Sequence, residues 1–253
     1  MKIIAIANRK GGVGKTTTTI NIATALSAVN KTVLVIDFDP QGNTTTSLGV
    51  EKKKNQPSSY DILTRNFDIS EAIVHTDMPR FDLIPSAPDL AAAEIELVDL
   101  ENREFILKNA LGKMKDVYDY VLIDCPPSLN MLTVNSMTAA DTVLVPIQCE
   151  YYALEGLSQL IHSVNLIKKK LNPKLELEGV VFTMYDSRNN LSKEVVQNVQ
   201  ANLNENIYKT IIPRNVRLAE APSYGMPIIT YAPDSTGAES YRQLALEMVA
   251  HEM

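Results

Sequence analysis

Six short apolar runs, separated by stretches with helical spacing, constrain this chain more than any other feature. They read Ile3 to Ala7, Val33 to Phe38, Phe81 to Pro85, Tyr120 to Asp124, Thr142 to Ile147 and Gly179 to Met184. Each is nearly continuous in apolar character, as expected of parallel strands covered by helices on both faces. Thr16 to Val29, Asn102 to Met114, Leu154 to Leu171, Ser192 to Leu203 and Gly237 to Ala250 carry the helical spacing between and after them. Thr236 and Glu239 fit a T-x-x-E capping box at the head of the last of these. The expected fold is α/β: a single domain over residues 1–253, with a mostly parallel twisted sheet and helices on both faces. In such sheets ligands bind at the carboxyl ends of the strands, so the chemistry is sought there.

Composition narrows the class of protein. With 45% hydrophobic residues there is material for a substantial core, and no apolar run of membrane-spanning length occurs. Met1 leads straight into the first apolar run, without a basic region and cleavage site, so a cytoplasmic address is expected. Cys125 and Cys149 are the only cysteines and sit in or beside apolar runs, which reads as small core residues and not as a disulfide framework or metal pair. Lysine and arginine number 24 against 30 acids, a formal charge of −6. Any contact with nucleic acid must then come from a local basic patch. The charged stretch Glu51 to Asn55 reads as a solvated turn.

Directly after the first apolar run comes Asn8-Arg9-Lys10-Gly11-Gly12-Val13-Gly14-Lys15-Thr16-Thr17, then a helical pattern. Strand, glycine-rich loop and helix together make a phosphate-binding loop. The glycines let successive backbone N–H groups turn inward on an anion, and the helix N-terminus adds partial positive charge. Lys15 is placed to reach the β- and γ-phosphates and the Thr16 hydroxyl to ligate Mg²⁺. The general pattern G-x-x-x-x-G-K-[ST] fails at its first glycine, where Arg9 stands.

Two further runs end in acids. Val35-Ile36-Asp37-Phe38-Asp39-Pro40-Gln41-Gly42-Asn43 brings two carboxylates to a strand end before a forced turn. Asp39 is the candidate for orienting the water that attacks a γ-phosphate, a step that needs placement more than strong base chemistry. Tyr120-Val121-Leu122-Ile123-Asp124 ends as a Walker B strand does, so that Asp124 would hold Mg²⁺, and Cys125-Pro126-Pro127-Ser128 follows it.

Lys10-Gly11-Gly12-Val13-Gly14-Lys15-Thr16 resembles the deviant Walker A motif of the class that contains ParA, MinD and the nitrogenase iron protein. The whole chain resembles the ParA/Soj family of partition ATPases. The matching segments are the D-x-D-P-Q-G-N and D-C-P-P-S runs, Pro146-Ile147-Gln148-Cys149-Glu150-Tyr151-Tyr152-Ala153-Leu154-Glu155-Gly156, and Ile212-Pro213-Arg214-Asn215-Val216-Arg217-Leu218-Ala219-Glu220-Ala221-Pro222. The resemblance implies a P-loop NTPase fold and slow hydrolysis of ATP with Mg²⁺. Lys10 would reach across a homodimer to the partner's nucleotide, and Lys10 through Thr17 would bind the phosphates. It implies that Pro213 and Asn215 face the adenine and that Arg188 and Arg217 bind double-stranded DNA nonspecifically. It also implies a ParB-type centromere-binding partner and association with the nucleoid. Lys168, Lys169 and Lys170 could extend the DNA patch or merely line a wet helix face. Arg9 stands where relatives carry glutamine. A MinD-like membrane-cycling ATPase is the alternative, disfavoured because the chain ends Ala245-Leu246-Glu247-Met248-Val249-Ala250-His251-Glu252-Met253, with acids where anionic lipid would call for lysines.

Overall fold

Alternation within each strand decides which face it feeds. Ile3 and Ala5 pack in one apolar cluster and Ile4 and Ile6 in another; Leu34 and Ile36 likewise oppose Val33 and Val35. Both sets are buried, so every central strand needs a helical layer on each side.

The computed structural model describes residues 1–51, 55–65, 67–114, 116–203 and 205–251. In chain order its elements are β1 (Lys2–Ile6), α1 (Lys15–Ala28), β2 (Val33–Asp37), α2 (Asn43–Ser47), α3 (Ser59–Thr64), β3 (Val74–His75), β4 (Phe81–Ile84), α4 (Ala93–Glu96) and α5 (Ile106–Leu111). There follow β5 (Tyr120–Asp124), α6 (Met131–Ala139), β6 (Thr142–Gln148), α7 (Ala153–Lys170), β7 (Glu176–Thr183), α8 (Asn190–Asn202), α9 (Val216–Glu220), α10 (Ile228–Tyr231) and α11 (Thr236–Ala250). The seven strands form one sheet in the order β3-β4-β2-β5-β1-β6-β7, parallel throughout except for β3 against β4. The α/β fold with a mostly parallel sheet and helices on both faces is therefore as expected.

One face is covered by α1 and α11, which meet through Ile22, Leu26, Tyr241, Leu244 and Met248. The other is covered by helices that include α5 to α8, through Leu107, Leu132, Leu160 and Val199. α1 is enclosed between the sheet and α11, and even its threonines, Thr18, Thr19 and Thr24, are buried. Their hydroxyls are satisfied within the protein: Thr19 and Thr24 donate to carbonyls one turn back, and Thr18 shares a 3.2 Å hydrogen bond with Tyr241.

Two local expectations need correction. The cap of α11 is Ser235, whose side chain accepts from the Ala238 amide; Thr236 is the first helical residue and its hydroxyl is used elsewhere. No T-x-x-E box forms. The stretch Asn102 to Met114 is a 3₁₀ turn (Arg103–Phe105), then α5, then a second 3₁₀ turn (Gly112–Met114). Asn102 takes a left-handed φ of 56° and Gly112 follows α5, so the continuous helix is broken at both ends. The antiparallel β3 was not anticipated, because two residues carry no readable alternation. Of the charged turn at 51–55, residues 52–54 lie outside the described residues, as do the last two of the chain. Among the described residues no helix is long and apolar enough to cross a membrane.

Candidate active site

β1 lies between β5 and β6, and the loop leaving it runs over the sheet's carboxyl edge into α1. That edge is where open parallel sheets bind ligands. The loop from Asn8 to Gly14 is held from outside itself. Asn8 donates to the Pro146 carbonyl at 2.8 Å and accepts from the Lys10 amide at 3.0 Å; Thr183, at the end of β7, donates to the Val13 carbonyl at 2.8 Å. Gly12 and Gly14 have φ of 75° and 89°, a backbone that other residues adopt only with strain. Gly14 also stands directly before α1, so the loop delivers an anion to the first free amides of the helix.

Lys15 is nearly buried, and its ammonium donates to the Lys10 carbonyl at 3.3 Å. Burial pulls its pKa below the ordinary lysine value, opposed by the nearby Asp124, Cys125 and Asp39. A charge so placed, short of partners and at the mouth of a helix, is matched by a phosphate.

The three aspartates do different things. Asp124, at the end of β5, is fully enclosed and accepts from the Thr16 and Thr44 hydroxyls, each at 2.7 Å on the same oxygen. Burial pushes its pKa up to about 6 against those two donors and Lys15. Among the described residues no group of three or more His, Cys, Asp or Glu side chains forms a metal cage. One carboxylate with flanking hydroxyls is instead an all-oxygen donor set of the kind that suits Mg²⁺, which keeps several waters and takes further ligands from phosphates. Thr16 and Asp124, the pair expected to hold Mg²⁺, are thus in direct contact.

Asp37, at the end of β2, faces inward. It accepts from the Thr45 amide at 2.8 Å, the Thr45 hydroxyl at 2.6 Å and, more weakly, the Asp39 amide at 3.4 Å. Burial, helped by the Asp124 charge, pushes it up to about 7 despite those donors. Asp39 is 8% exposed, its carboxylate bound to the protein by the Gln41 amide at 3.0 Å. Its carbonyl accepts from the Gly42 amide and, at 2.6 Å, from the buried Ser86 hydroxyl. Its backbone is therefore fixed on both sides, and both aspartates do not emerge together: Asp37 is structural in its contacts, while Asp39 keeps an oxygen for another partner.

Lys10 forms an ion pair with Glu150 of its own chain, both side chains about half exposed. Arg9 donates to Gln159 of α7 at 2.9 Å, which ties the start of the loop to that helix. Cys125 and Cys149 are buried thiols, pushed up to about 12 and about 11 by that burial, in keeping with core residues.

Beside the phosphate loop is a cavity of about 380 Å³ lined by Gly14, Thr17, Met184, Pro213, Asn215 and Tyr241, among others. Pro213 and Asn215 therefore line a cavity that adjoins the phosphate loop. Met184, with a left-handed φ of 51°, turns the chain out of β7 so that Tyr185 pairs with Pro213. Asn215 caps α9, accepting from the Arg217 amide at 2.8 Å, and donates to the Thr236 hydroxyl at 2.8 Å. Much of its hydrogen-bonding capacity is spent inside the protein.

Arg188 and Arg217 are exposed, the first on the loop after β7 and the second in the first turn of α9, and the segments before them are joined by bonds from the Tyr185 amide to the Ile212 carbonyl and from the Arg214 amide to the Tyr185 carbonyl. Lys168 to Lys170 are elsewhere. α7 starts beside the phosphate loop and its 18 residues run back toward the opposite edge of the sheet, roughly 27 Å at 1.5 Å per residue. Those lysines do not extend the arginine pair. Sequence reading passed over Thr44, Thr45, Ser86 and Arg214. The first two stand in plain view after Gly42-Asn43, and Arg214 lies between the two residues assigned to the base.

A family model described as an AAA domain matches residues 1–177. The chain is 53% identical to the sporulation initiation inhibitor protein Soj of Bacillus subtilis over 250 residues, 99% of each chain. It is 49% identical to the chromosome partitioning protein ParA of Caulobacter vibrioides over 254 residues, 100% of this chain and 95% of that one. Its fold superposes with a TM-score of 0.87 on a crystal structure described as cobyrinic acid a,c-diamide synthase from Mycobacterium smegmatis with bound ADP and magnesium, 38% identical, covering 100% of this chain and 95% of that one.

Proposed function

Because the chain belongs to the Soj and ParA family of chromosome-partitioning P-loop ATPases, we propose that residues 1–253 act as one ATP-driven DNA-partition switch. ATP pairs two subunits face to face, the pair holds DNA nonspecifically, and slow hydrolysis, stimulated by a ParB-type partner, releases it. The observation that carries this reading is one oxygen of the buried Asp124 carboxylate, on which the Thr16 hydroxyl of the phosphate helix and the Thr44 hydroxyl of the segment after Asp39 converge. A change at the γ-phosphate felt by Thr16 and Asp124 is felt at once by α2, which is how a lost phosphate can release a loop.

Lys10 through Thr17 cradle the triphosphate, and Lys15 neutralises the β- and γ-oxygens. Thr16 and Asp124 would hold Mg²⁺, which would supply charge neutralisation for the departing diphosphate. Asp39 orients a water whose oxygen bonds to the γ-phosphorus as the β–γ bridging bond breaks, leaving ADP and phosphate. Pro213 and Asn215 flank the adenine. Lys10 exchanges its exposed partner Glu150 for the nucleotide of the second subunit, and the pairing brings Arg188 and Arg217 of both subunits onto one surface. Doubling the phosphate contacts explains how an acidic chain holds DNA only when paired.

The test is retention on duplex DNA with ATP, ADP or no nucleotide at two salt concentrations. Retention confined to ATP and lost at high salt is expected; equal retention in all three states overturns the switch. Asp39→Ala should keep ATP-dependent pairing and lose turnover, whereas a scaffold that never hydrolyses ATP has no turnover to lose. Light scattering with a nonhydrolysable analogue should find dimers. Gly11→Val is the cleaner block to closure, since a Cβ there meets only Pro127, at 4.0 Å, while Gly12→Val is strained by its own φ of 75°. Gly11→Val should bind nucleotide and fail to retain DNA.

A further inference from the structure

Both arginines read as DNA contacts are already engaged in the free chain. Arg188 donates from Nε to Asp186 Oδ1 at 3.0 Å and from Nη2 to Asp186 Oδ2 at 2.8 Å, a two-pronged pair. The same carboxylate accepts the Arg188 amide at 3.0 Å, so the turn that presents the arginine also presents its acid. Arg188 holds the Asp186 carboxyl down at about 2. Arg217 donates to Glu220 Oε2 at 2.9 Å, and the Tyr231 hydroxyl donates to that oxygen at 3.1 Å. Tyr231 is itself stacked on Tyr224, ring centroids 4.9 Å apart, which fixes the acid from behind.

A phosphodiester and a carboxylate present the same face to a guanidinium: two oxygens sharing one negative charge. A DNA phosphate approaching Arg188 or Arg217 therefore meets a competitor of its own kind, and after displacement that acid stays nearby and repels it. We propose that Asp186 and Glu220 are affinity-setting residues that occupy the DNA-facing arginines and hold the affinity of each subunit down; this rests on the reading of Arg188 and Arg217 as DNA contacts. With each subunit's grip weakened, binding depends on pairing, because two weak sets of contacts multiply only when joined. The two guards differ. Asp186 takes the Nε–Nη2 edge of Arg188 with both oxygens and leaves only the Nη1–Nη2 end for a second bidentate partner, whereas Glu220 takes one nitrogen of Arg217, so Asp186 exerts the larger effect.

The test uses the full chain with ATP and a fluorescent duplex, titrated at two salt concentrations, with ATP-dependent pairing checked for every variant. Asp186→Asn keeps an oxygen for the Arg188 amide and loses the charge; Glu220→Gln keeps an oxygen for the Arg217 guanidinium and the Tyr231 hydroxyl and likewise loses the charge. Glu176→Gln, exposed at the far end of β7, is the control for net charge. Asp186→Asn and Glu220→Gln should tighten DNA binding, roughly two- to fivefold per subunit and compounding across the dimer, while Glu176→Gln changes little. Adding Arg188→Ala to Asp186→Asn should erase the gain. Unchanged or weaker binding by both guard variants overturns the proposal and makes the acids positioning groups that hold the arginines in register. An equal gain from Glu176→Gln also overturns it, since the effect is then general charge. If Arg188→Ala and Arg217→Ala bind DNA as the wild type does, the DNA-contact reading falls and this inference with it. If those two lose binding while the guard variants gain nothing, only the inference falls.

Discussion

The phosphate half of the site and the base half are built by different means. Around the phosphate loop each part is a short run at a strand end that can be recognised by itself: glycines with positive φ, a lysine and threonine opening α1, and an aspartate at each of two adjacent strand ends. The base half is assembled from distant segments, with Asn215 bonded to Thr236, Thr18 to Tyr241, and Glu247 accepting the Lys209 and Thr210 amides and the Thr210 hydroxyl. The first half concentrates buried charge and the second is mostly apolar packing pinned by hydrogen bonds, some neutral and some to the Glu247 carboxylate. Damage to the phosphate half should be steep, and damage to the base half graded.

The largest expected effect tests the steep side. Lys15→Ala removes the one buried ammonium at the phosphates while the loop's own bonds to Pro146 and Thr183 survive. Nucleotide affinity should fall by about a hundredfold or more, since losing a buried charged partner costs about 2–5 kcal/mol. Calorimetric titration with a nonhydrolysable analogue measures it; a loss under tenfold would mean that backbone amides and helix dipole do most of the binding.

Buried charge also predicts how stability follows pH. Asp37 is pushed up to about 7 by burial and by the Asp124 charge, above its ordinary value of 3.8. The folded chain therefore binds more protons than the unfolded chain across that interval, and stability falls as pH rises through it. The slope from this one group approaches about 1.4 kcal/mol per pH unit. Without nucleotide or Mg²⁺, urea unfolding should show a chain more stable at pH 5.5 than at pH 7.5, each pH being a condition of about that value set by buffer. Asp37→Asn should flatten the slope by about one proton. A flat wild-type profile would mean that the hydroxyl of Thr45 and the two amides compensate the burial completely.

These contrasts match what could be read from the chain. Strand ends, the loop from Lys10 to Thr17, and the position of Asp124 were legible because spacing along one strand or turn fixes their geometry; the alternation of Asp37 and Asp39 misled, because β2 ends at Asp37 and the turn beyond it sends Asp39 elsewhere. The hydroxyls of Thr44 and Thr45 were not legible, since a run of threonines reads as bland until Asp124 and Asp37 are folded against it. Ser235 displaced Thr236 as the α11 cap because the Thr236 hydroxyl is taken by Asn215, a contact 21 residues away in the chain. The carboxylates on the two arginines lay two and three residues from them, close enough to see, but nothing in sequence says that an exposed pair closes.

On the base side, Gly237 marks where α11 crosses α9. A Cβ there would lie 2.8 Å from Leu218 Cγ and 2.9 Å from its Cδ1, so the leucine, which also lines the cavity, must move. Gly237→Ala should cost about 1–3 kcal/mol of stability, as overpacking does, and raise KM for ATP more than it lowers kcat. Equal loss of both would indicate that the strain reaches the phosphate loop, and the separation of the two halves would fail.

The smallest effect sharpens the comparison most. Asn215 caps α9 with its oxygen and holds Thr236 with its nitrogen. Asn215→Ala removes both, and losing a cap costs about 1 kcal/mol. Asn215→Asp keeps the cap and offers the Thr236 hydroxyl an acceptor in place of a donor, so it should recover most of that stability. If Asn215 acts on nucleotide only by shaping its loop, ATP and GTP should weaken together in the alanine variant, and aspartate should restore both. If its remaining amide hydrogen reads the base, aspartate should restore stability and leave the preference for ATP over GTP diminished. Thermal unfolding beside competition binding of the two nucleotides separates these outcomes, because a cap acts on the fold and a base contact acts on the ratio.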